Sequence, residues 1–399
     1  MKGRAMSEIR PAQILRALDA GEFEFFHQPK VSFLTGRVSG CEALLRWRRP
    51  DGSLLLPGDF LPQAESCGLV TEIARRMFPL LCREQAAFAA VREDLRVSFN
   101  VNPNDLENEE LVELVLEGVA GGLLLPNQVQ VELAGSDCRY GSLTLQANLE
   151  LLAGSGVQLV MDDFGAGAAS LEALNRLPFS AVKIDRRVVG GLLADDRCAA
   201  LALAAIRAAH ELDLTVIAQG VESEEEFHFL HHAGCSEAQG YWISPPLPFE
   251  EALEFAGADR RWCDFPVGLL RQIELDHIQW RKAVIDRVVG VRNRRLPAGS
   301  RRFGTDPQEC RFGRWFYGEE QGFASDPGFA GLEEPHRNLH RAADRLLAAA
   351  EQENTAPAAI ERMVAELQER SEEFLRALQA LERQALLSGA AGGREGRVA

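Results

Sequence analysis

Residues 157–185 read VQLVMDDFGAGAASLEALNRLPFSAVKID, and this stretch decides the fold class. It begins and ends with short runs of β-branched and aliphatic residues, which favour strands. The same alternation continues on both sides, from Phe23 to about Ile243. Most neighbouring strand candidates are separated by segments with the 3.6-residue periodicity of an amphipathic helix. The strand candidates are FEFFHQPKVSF, VSGCEALLRW, VSFNVN, VQVEL, VQLVMDDF, AVKID, LTVIAQGV and AQGYWIS.

Strands that alternate with helices indicate an α/β protein with a mostly parallel sheet. About eight such units in a region of this length predict a TIM-like (β/α)8 barrel, and a doubly wound sheet is the alternative. We expect this domain to cover residues 1–256, including a short N-terminal helix.

The pattern changes after Pro248, where strand signals stop. Three later segments have helical periodicity and predict an all-α bundle over residues 257–387. They are Val267 to Val291, Glu333 to Gln352 and Ala356 to Leu387. Residues 388–399, SGAAGGREGRVA, have the composition of a disordered tail.

Composition narrows the class of protein. The 399 residues are 46% hydrophobic and 26% charged, which is typical of a folded globular chain. The formal net charge of −16 argues against a nucleic-acid polymer as partner, because a nucleic-acid groove needs a basic face. No apolar run reaches the roughly 20 residues of a membrane helix, and residues 1–16 lack a signal-peptide core. We therefore expect a cytoplasmic protein that does not enter a membrane.

Polar residues end successive predicted strands, where a barrel presents its active site. They are Glu42, Asn100, Glu132, Asp162, Asp163, Lys183, Gln219 and Gln239. Singly, Asn100 could fix a turn and Lys183 could be an ordinary strand-end cation. As a set they form an oxygen-rich ring of the kind that binds Mg²⁺ or Mn²⁺. Two such ions can clamp a phosphodiester and activate a water molecule.

The motifs around these residues resemble the EAL family of cyclic-di-GMP phosphodiesterases. Eight motifs occur in the family's order and spacing, over about Pro11 to Ala256. They are EALLRW (42–47), LPGDFLPQAE (56–65), FNVNP (99–103), VEL (131–133), MDDFGAG (161–167), VKID (182–185), AQGVES (218–223) and QGYWISPP (239–246).

The resemblance implies a role for each residue of the ring. The first metal would be held by Glu42, Asn100, Glu132 and Asp162, with Asp162 bridging to the second metal. Asp163 and Gln219 stand at positions that serve the second metal. The catalytic set would be Lys183, Asp163 and Glu42.

The resemblance also implies how the substrate is bound and cleaved. Lys183 would orient the attacking water molecule and help to deprotonate it. The planar guanidinium of Arg46 would bind a phosphate oxygen, and Gln239 would contact a guanine or the sugar-phosphate. The reaction would open cyclic-di-GMP to the linear dinucleotide pGpG.

Three departures from the family pattern bear on turnover. Gln219 replaces a glutamate that serves the second metal. The family's E-x-T-E motif reads ELAG here, so Ala134 and Gly135 replace a threonine and a glutamate. The family loop D-D-F-G-T-G-Y-S reads DDFGAGAAS, so Ala166 and Ala168 remove a hydroxyl and an aromatic ring. Because the first-metal set is intact and the second is not, we expect weakened catalysis with retained ligand binding.

A second constellation consists of His277, Cys310, His336 and His340. The spacing of His336 and His340 puts both on one side of a helix. One thiolate and three imidazoles suit Zn²⁺, and the alternative is a pair of exposed histidines with a buried thiol. The motifs D-H-x-x-W, C-x-x-G-x-W-x-Y-G and H-x-x-x-H resemble the chemoreceptor zinc-binding (CZB) family. That resemblance implies a zinc-binding four-helix bundle that senses zinc or oxidants and dimerises.

The sequence supports two main functions. The first is a zinc-responsive phosphodiesterase of reduced activity, which the intact first-metal set favours. The second is a catalytically inactive receptor for cyclic-di-GMP or for a partner protein, gated by zinc or oxidant, which Gln219 and the loop changes favour. A barrel that has lost its ligand and only pairs with another signalling protein is a third option. A homodimer is expected in each case.

Overall fold

The computed structural model describes residues 9–107, 109–134, 142–165, 171–263, 267–293, 304–318, 327–352 and 354–392. The chain divides into two compact units whose boundary lies between Trp262 and Cys263. The short segment Leu34–Gly36 groups with the second unit. The sequence placed the boundary slightly earlier, at residues 256 and 257.

Ten strands of the described residues form one sheet. They are β1 (Phe23–Ser32), β2 (Val38–Arg48), β3 (Leu54–Leu55), β4 (Arg96–Val101), β5 (Val129–Ala134), β6 (Gln158–Phe164), β7 (Ala181–Ile184), β8 (Thr215–Gln219), β9 (Glu237–Gln239) and β10 (Leu247–Pro248).

Eight of these strands close into a barrel, in the order β1-β9-β8-β7-β6-β5-β4-β2 and back to β1. The strands from β2 through β4 to β9 are parallel, whereas β1 is antiparallel to both of its neighbours. The short strand β3 pairs antiparallel with β2, and the short strand β10 pairs antiparallel with β1. The predicted eight-stranded barrel is confirmed, and the doubly wound alternative is wrong.

The last of the eight predicted strands, AQGYWIS, corresponds to β9, which is much shorter than the sequence pattern indicated. Only Glu237–Gln239 is extended, and the rest of AQGYWIS forms a turn. A Cβ at Gly240 would lie 2.1 Å from the carbonyl oxygen of Val221, so the backbone passes too close there for any side chain. The amide of Ile243 then donates back to the carbonyl of Gly240 (3.0 Å), which turns the chain away.

Ten α-helices belong to the barrel unit within the described residues. They are α1 (Pro11–Asp19), α2 (Pro57–Ser66), α3 (Val70–Val91), α4 (Glu109–Ala120), α5 (Leu143–Gly154), α6 (Leu171–Arg176), α7 (Arg186–Val189), α8 (Asp196–Glu211), α9 (Glu224–Ala233) and α10 (Phe249–Gly257), with a 3₁₀ turn at Asp105–Glu107. A large apolar core containing Ile14, Phe60, Phe88 and Ala252 joins helices to strands. Burial of this apolar surface is what holds the helical layer on the barrel.

The second unit is all-α, as the sequence predicted. Its helices are α11 (Val267–Arg292), α12 (Arg311–Phe316), α13 (Pro327–Ala330), α14 (Glu333–Glu351) and α15 (Pro357–Gly392). The three long helices α11, α14 and α15 pack against one another around Leu339, Leu367 and Phe374, and α12 adds Phe312 to the same core. Helix α15 continues into the stretch where the sequence predicted a tail, and residues 393–399 lie outside the described ranges. No helix in the described parts of the chain is long and apolar enough to cross a membrane.

Candidate active site and metal centre

The barrel topology gathers the polar strand ends into one ring. Parallel strands present their carboxyl ends at the same rim, and the register aligns neighbouring members of the ring. Asn100 is paired with Glu132, and Gln219 is paired with Gln239. Ala134, at the end of β5, is paired with Asp162.

Glu42 is the hub of this ring. Its Oε1 accepts a hydrogen bond from Asn100 Nδ2 at 2.7 Å. Its Oε2 accepts from Lys183 Nζ and from Gln239 Nε2, both at 2.8 Å. Burial would raise the pKa of Glu42, but the charge and hydrogen bonds of Lys183 and the two amides lower it to about 2. Glu42 is therefore a carboxylate with its orientation fixed from three sides.

Lys183 is completely buried and joins two carboxylates. Its Nζ lies 2.8 Å from Glu42 Oε2 and 2.5 Å from Glu132 Oε2. Burial lowers the pKa of Lys183, but the charges of Glu132 and Glu42 outweigh burial, so the pKa lies above its usual value. While these contacts hold, Lys183 is an ammonium that can orient a water molecule but cannot accept its proton.

Glu132 and Asp162 complete the set expected to hold a first divalent cation. Glu132 Oε1 is buried and has no hydrogen-bond partner among the described residues. Burial, reinforced by the charge of Glu42, raises the pKa of Glu132, and burial also raises the pKa of Asp162. An unpartnered buried oxygen that feels the charges of Glu42 and Asp162 fits a hard cation, because such a cation would satisfy that oxygen.

The position expected to hold a second metal has a neutral side chain, Gln219, in place of a carboxylate. Gln219 Nε2 donates a hydrogen bond to Asp162 Oδ1 at 2.7 Å, so an amide N–H contacts the carboxylate that the family resemblance assigns to both metals. The side chain is neutral and contributes no charge to a dication. Gly135, Ala166 and Ala168, at which the sequence departs from the family, lie outside the described residues.

Asp163 lies beside Asp162 in a strained conformation. Its φ of 56° is in the left-handed region, which residues other than glycine seldom adopt. The amide of Asp163 donates to Asp162 Oδ1 at 2.8 Å. Its carboxyl group shares a hydrogen bond with Asp185, and burial together with Asp185 raises the pKa of Asp163. Asp185 ends the VKID motif and is a site residue that the sequence pattern does not single out; its position directly after a buried strand is the one signal for it.

Arg46 and Gln239 are the predicted substrate-binding residues. Arg46 lies further along β2 than Glu42, donates to the carbonyl of Leu45 at 2.9 Å and lies over the ring of Phe26. Gln239 Nε2 donates to Glu42, while its Oε1 is buried and has no hydrogen-bond partner among the described residues. Gln239 therefore belongs to the hydrogen-bonded ring around Glu42.

The second unit gathers the four predicted zinc ligands. His277 lies on α11, His336 and His340 lie on α14, and Cys310 caps the N-terminus of α12. One ligand atom from each lies within 4.8 Å of the other three. All three histidines are buried, with relative exposures of 4%, 0% and 1%, so the alternative of an exposed histidine pair is wrong.

Backbone carbonyls orient two of the imidazoles. His277 Nδ1 donates to Ile273 O and His340 Nδ1 donates to Thr305 O, both at 2.8 Å. These bonds leave each Nε2 free to bind a metal, and the buried Nε2 of His340 has no hydrogen-bond partner in the described residues. Second contacts of this kind are typical of zinc-binding histidines.

The protonation states also favour a metal. Burial lowers the pKa of His277 to about 4. Burial also lowers the pKa of His336, and repulsion from His340 and His277 adds to the effect, so that this pKa falls to about 2. Neutral imidazoles are the form that binds zinc. Cys310 Sγ lies 3.2 Å from His336 Nε2 and accepts from the Gly313 amide at 3.3 Å. Burial raises the pKa of Cys310, and the amides of Gly313 and Phe312 oppose that rise.

Gly313 is the residue that lets α12 carry Cys310 to this position. A Cβ there would lie 1.9 Å from Pro307 O and 2.8 Å from Gln308 Cα. The glycine of the C-x-x-G spacing is therefore a packing requirement of this four-residue cluster.

Comparison with known proteins agrees with both domains. The model of the EAL domain family matches residues 12–246, and that of the chemoreceptor zinc-binding domain matches residues 277–347. The cyclic di-GMP phosphodiesterase RocR of Pseudomonas aeruginosa is 33% identical over 244 residues, which are 61% of this chain and 62% of RocR. The bifunctional diguanylate cyclase/cyclic di-GMP phosphodiesterase MucR of the same organism is 33% identical over 255 residues, which are 63% of this chain but only 37% of MucR.

Solved structures agree with the fold. The structure described as PaMucR phosphodiesterase in complex with c-di-GMP is 33% identical, with a TM-score of 0.57, and covers 60% of this chain and 98% of that chain. An EAL domain protein from Listeria monocytogenes is 25% identical, with a TM-score of 0.55, and covers 62% and 98%. The chain belongs to the EAL domain family and carries a C-terminal chemoreceptor zinc-binding domain.

Proposed function

We propose that this protein binds cyclic-di-GMP at the rim of the barrel with Mg²⁺ or Mn²⁺ and hydrolyses it slowly to pGpG. The observation that carries the proposal is the Glu42 carboxylate, which Asn100, Lys183 and Gln239 hold by three hydrogen bonds. A preorganised carboxylate of this kind stabilises charge without reorganisation during the reaction. The c-di-GMP complex of the PaMucR phosphodiesterase supports the choice of ligand.

Each residue of the rim has a distinct task in this proposal. Glu42, Asn100, Glu132 and Asp162 would hold the first cation. When bound, a divalent cation supplies Lewis-acid polarisation of a phosphoryl oxygen and lowers the pKa of a bound water molecule. Arg46 would bind a phosphate oxygen, because a guanidinium presents several donors in one plane. Lys183 would orient the attacking water molecule from below the ring.

Slow turnover follows from the second-metal position. The neutral amide of Gln219 donates a hydrogen bond to Asp162 Oδ1, and the family has a carboxylate at the position of Gln219. Loss of one electrostatic contact of this type commonly reduces kcat by about 100-fold to 1,000-fold. Binding of the nucleotide needs less charge than stabilisation of the transition state, so it should be less affected.

A catalytically inactive receptor is the second candidate function. The same Gln219–Asp162 hydrogen bond favours it, because the bond satisfies Asp162 without any second metal. In that case the barrel would report cyclic-di-GMP to a signalling partner.

The helical unit is proposed to bind Zn²⁺ and to gate the barrel in response to zinc or oxidant. A half-buried Cys310 thiol beside three neutral imidazoles supports zinc as the ion, and oxidation of the thiol would remove one ligand. We place the protein in the cytoplasm as a homodimer. Six cysteines are free thiols, which fits a reducing compartment: Cys41, Cys67, Cys82, Cys198, Cys235 and Cys310.

The experiment that separates the two functions is an assay of purified protein with cyclic-di-GMP and Mn²⁺, followed by separation of the nucleotide products. Slow, metal-dependent formation of pGpG is expected. A parallel titration in Ca²⁺ measures binding without requiring turnover. Binding without any pGpG would favour the receptor, and the absence of binding would contradict both functions.

A further inference from the structure

Lys30 is a second lysine inside the barrel, below the ring, and it does not belong to the polar strand ends. It lies on β1, two residues after Gln28 and on the same inward face, and its relative exposure is 1%. Its Nζ donates to Gln130 Oε1 at 2.6 Å and to Ser98 Oγ at 3.1 Å. Barrel interiors are usually filled by branched aliphatic residues, and burying an ammonium is costly. A lysine at this depth therefore needs a reason beyond packing.

Glu132 lies between the two buried lysines. Its Oε2 accepts a hydrogen bond from Lys183, whereas its Oε1 lies 3.7 Å from Lys30 Nζ, too far for a hydrogen bond. Lys30 is thus attracted to Glu132 Oε1 without occupying it. The donors of Lys30 are directed to Gln130 and Ser98 instead, and Gln130 is held in turn by Gln158 at 2.9 Å.

The charges around Glu132 explain why one lysine is insufficient. Glu132 is fully buried, and its neighbour Glu42 competes with it for the same lysine. Lys183 is shared between Glu42 and Glu132, so its single charge serves two carboxylates. Lys30 Nζ lies 3.7 Å from the other oxygen of Glu132. Burial lowers the pKa of Lys30, and the negative charges of Glu132, Glu237 and Glu42 oppose that shift.

We propose that Lys30 is a positioning residue, whose buried charge fixes the Glu132 carboxylate with Oε1 free to bind a divalent cation. This inference rests on the proposed function, since it requires a cation at the ring. Lys30 does not touch the reacting atoms and acts only through Glu132.

The first test is Mn²⁺ binding to the full-length, zinc-loaded protein, followed by electron paramagnetic resonance of free Mn²⁺. Lys30→Met removes the charge at similar volume and should weaken Mn²⁺ binding by about 10-fold to 100-fold, the usual effect of losing a residue that supports a metal ligand. Ile217→Val is the matched control, because it opens a small cavity elsewhere in the barrel interior without changing charge. Wild-type Mn²⁺ affinity in Lys30→Met would overturn the proposal.

A second test uses metal-free protein and needs no activity. The melting temperature of the barrel unit is measured for Lys30→Met, for Glu132→Gln and for the double variant. If Lys30 acts through Glu132, the loss caused by Lys30→Met should shrink or reverse in the Glu132→Gln background. Equal losses in both backgrounds would contradict the proposal. If Lys30→Met does not fold, Lys30→Gln is substituted, since it keeps a donor for the buried neighbours.

The two tests separate failure of this inference from failure of the proposed function. A wild-type protein that binds no Mn²⁺ contradicts the proposed function, and the melting cycle then decides alone whether Lys30 acts through Glu132. A wild-type protein that binds Mn²⁺, together with an unaffected Lys30→Met, contradicts only the role of Lys30.

Discussion

At the scale of single residues, the barrel site depends on the difference between an amide and a carboxylate at position 219. Gln219 donates a hydrogen bond to Asp162 Oδ1 at 2.7 Å. A glutamate there has no proton to donate and would repel Asp162 unless a cation lay between them. The residue thus decides whether Asp162 is satisfied by the protein or by a second ion.

We therefore expect Gln219→Glu to raise hydrolysis of cyclic-di-GMP by about 100-fold and to change binding much less. Gln219→Met is the control, because it has similar size and no oxygen, and it should not raise the rate. The measurement is pGpG formation in Mn²⁺ beside a binding titration in Ca²⁺. Wild-type turnover that already equals that of active relatives would show that Gln219 does not limit catalysis.

The proposed zinc centre depends on a single thiol, that of Cys310. Cys310→Ser should reduce the zinc content from about one ion per chain to a small fraction, because a serine hydroxyl is a poor zinc ligand at neutral pH. His340→Ala should do the same by opening the ligand shell. Cys67→Ser is the control, since Cys67 is exposed, free and in the barrel unit. Elemental analysis that finds full zinc in Cys310→Ser would exclude Cys310 as a ligand.

At the scale of elements, the short helix α12 is placed by backbone packing as well as by its aromatic residues. Gly313 faces the backbone of residues 307–308 so closely that a methyl group cannot fit. Gly304 precedes the same segment, and a Cβ there would meet nothing within 4 Å. The two glycines form a matched pair for testing how α12 supports the zinc centre.

Gly313→Ala should destabilise the helical unit by about 1–3 kcal/mol, the usual cost of overpacking, and should lower zinc affinity by moving Cys310. Gly304→Ala should leave both unchanged. Thermal unfolding with and without a chelator, together with zinc analysis, measures the two effects. Equal behaviour of both variants would show that α12 does not position the thiol.

The elements also show what the sequence could and could not predict. The buried strands and the polar strand ends could be predicted from the sequence because they repeat along the chain. The pairing of His336 with His340 could be predicted from their helical spacing. The turn at Gly240 was not, because it depends on the distant backbone of Val221. Lys30 read as an ordinary strand residue, since its partners Ser98 and Gln130 lie on two other strands.

At the scale of the whole molecule, the chain carries two candidate metal sites of different chemistry in two separate units. The barrel ring offers oxygen ligands for a hard cation, and the helical unit offers nitrogen and sulfur ligands for zinc. Regulation of one by the other requires that zinc change the affinity of the barrel for its ligand, because coupling is a free energy between sites.

We expect removal of zinc by chelation to change cyclic-di-GMP affinity by about 5-fold to 150-fold, the usual range of such coupling. Cys310→Ser should behave as chelated wild-type protein does, with or without added zinc. Calorimetric titrations on zinc-loaded, chelated and variant protein in Ca²⁺ measure the difference. Identical affinities in all samples would mean that the zinc centre stabilises its own unit and does not regulate the barrel.

The most direct test of metal-dependent cyclic-di-GMP binding at the barrel rim is a calorimetric titration of wild-type protein and Glu42→Ala in Ca²⁺. Removal of Glu42 leaves Asn100, Lys183 and Gln239 without their common acceptor, so saturable binding should be lost in the variant while its zinc content is unchanged. Equal binding by both proteins, or no binding by the wild type, would contradict the assignment of this rim as the ligand site.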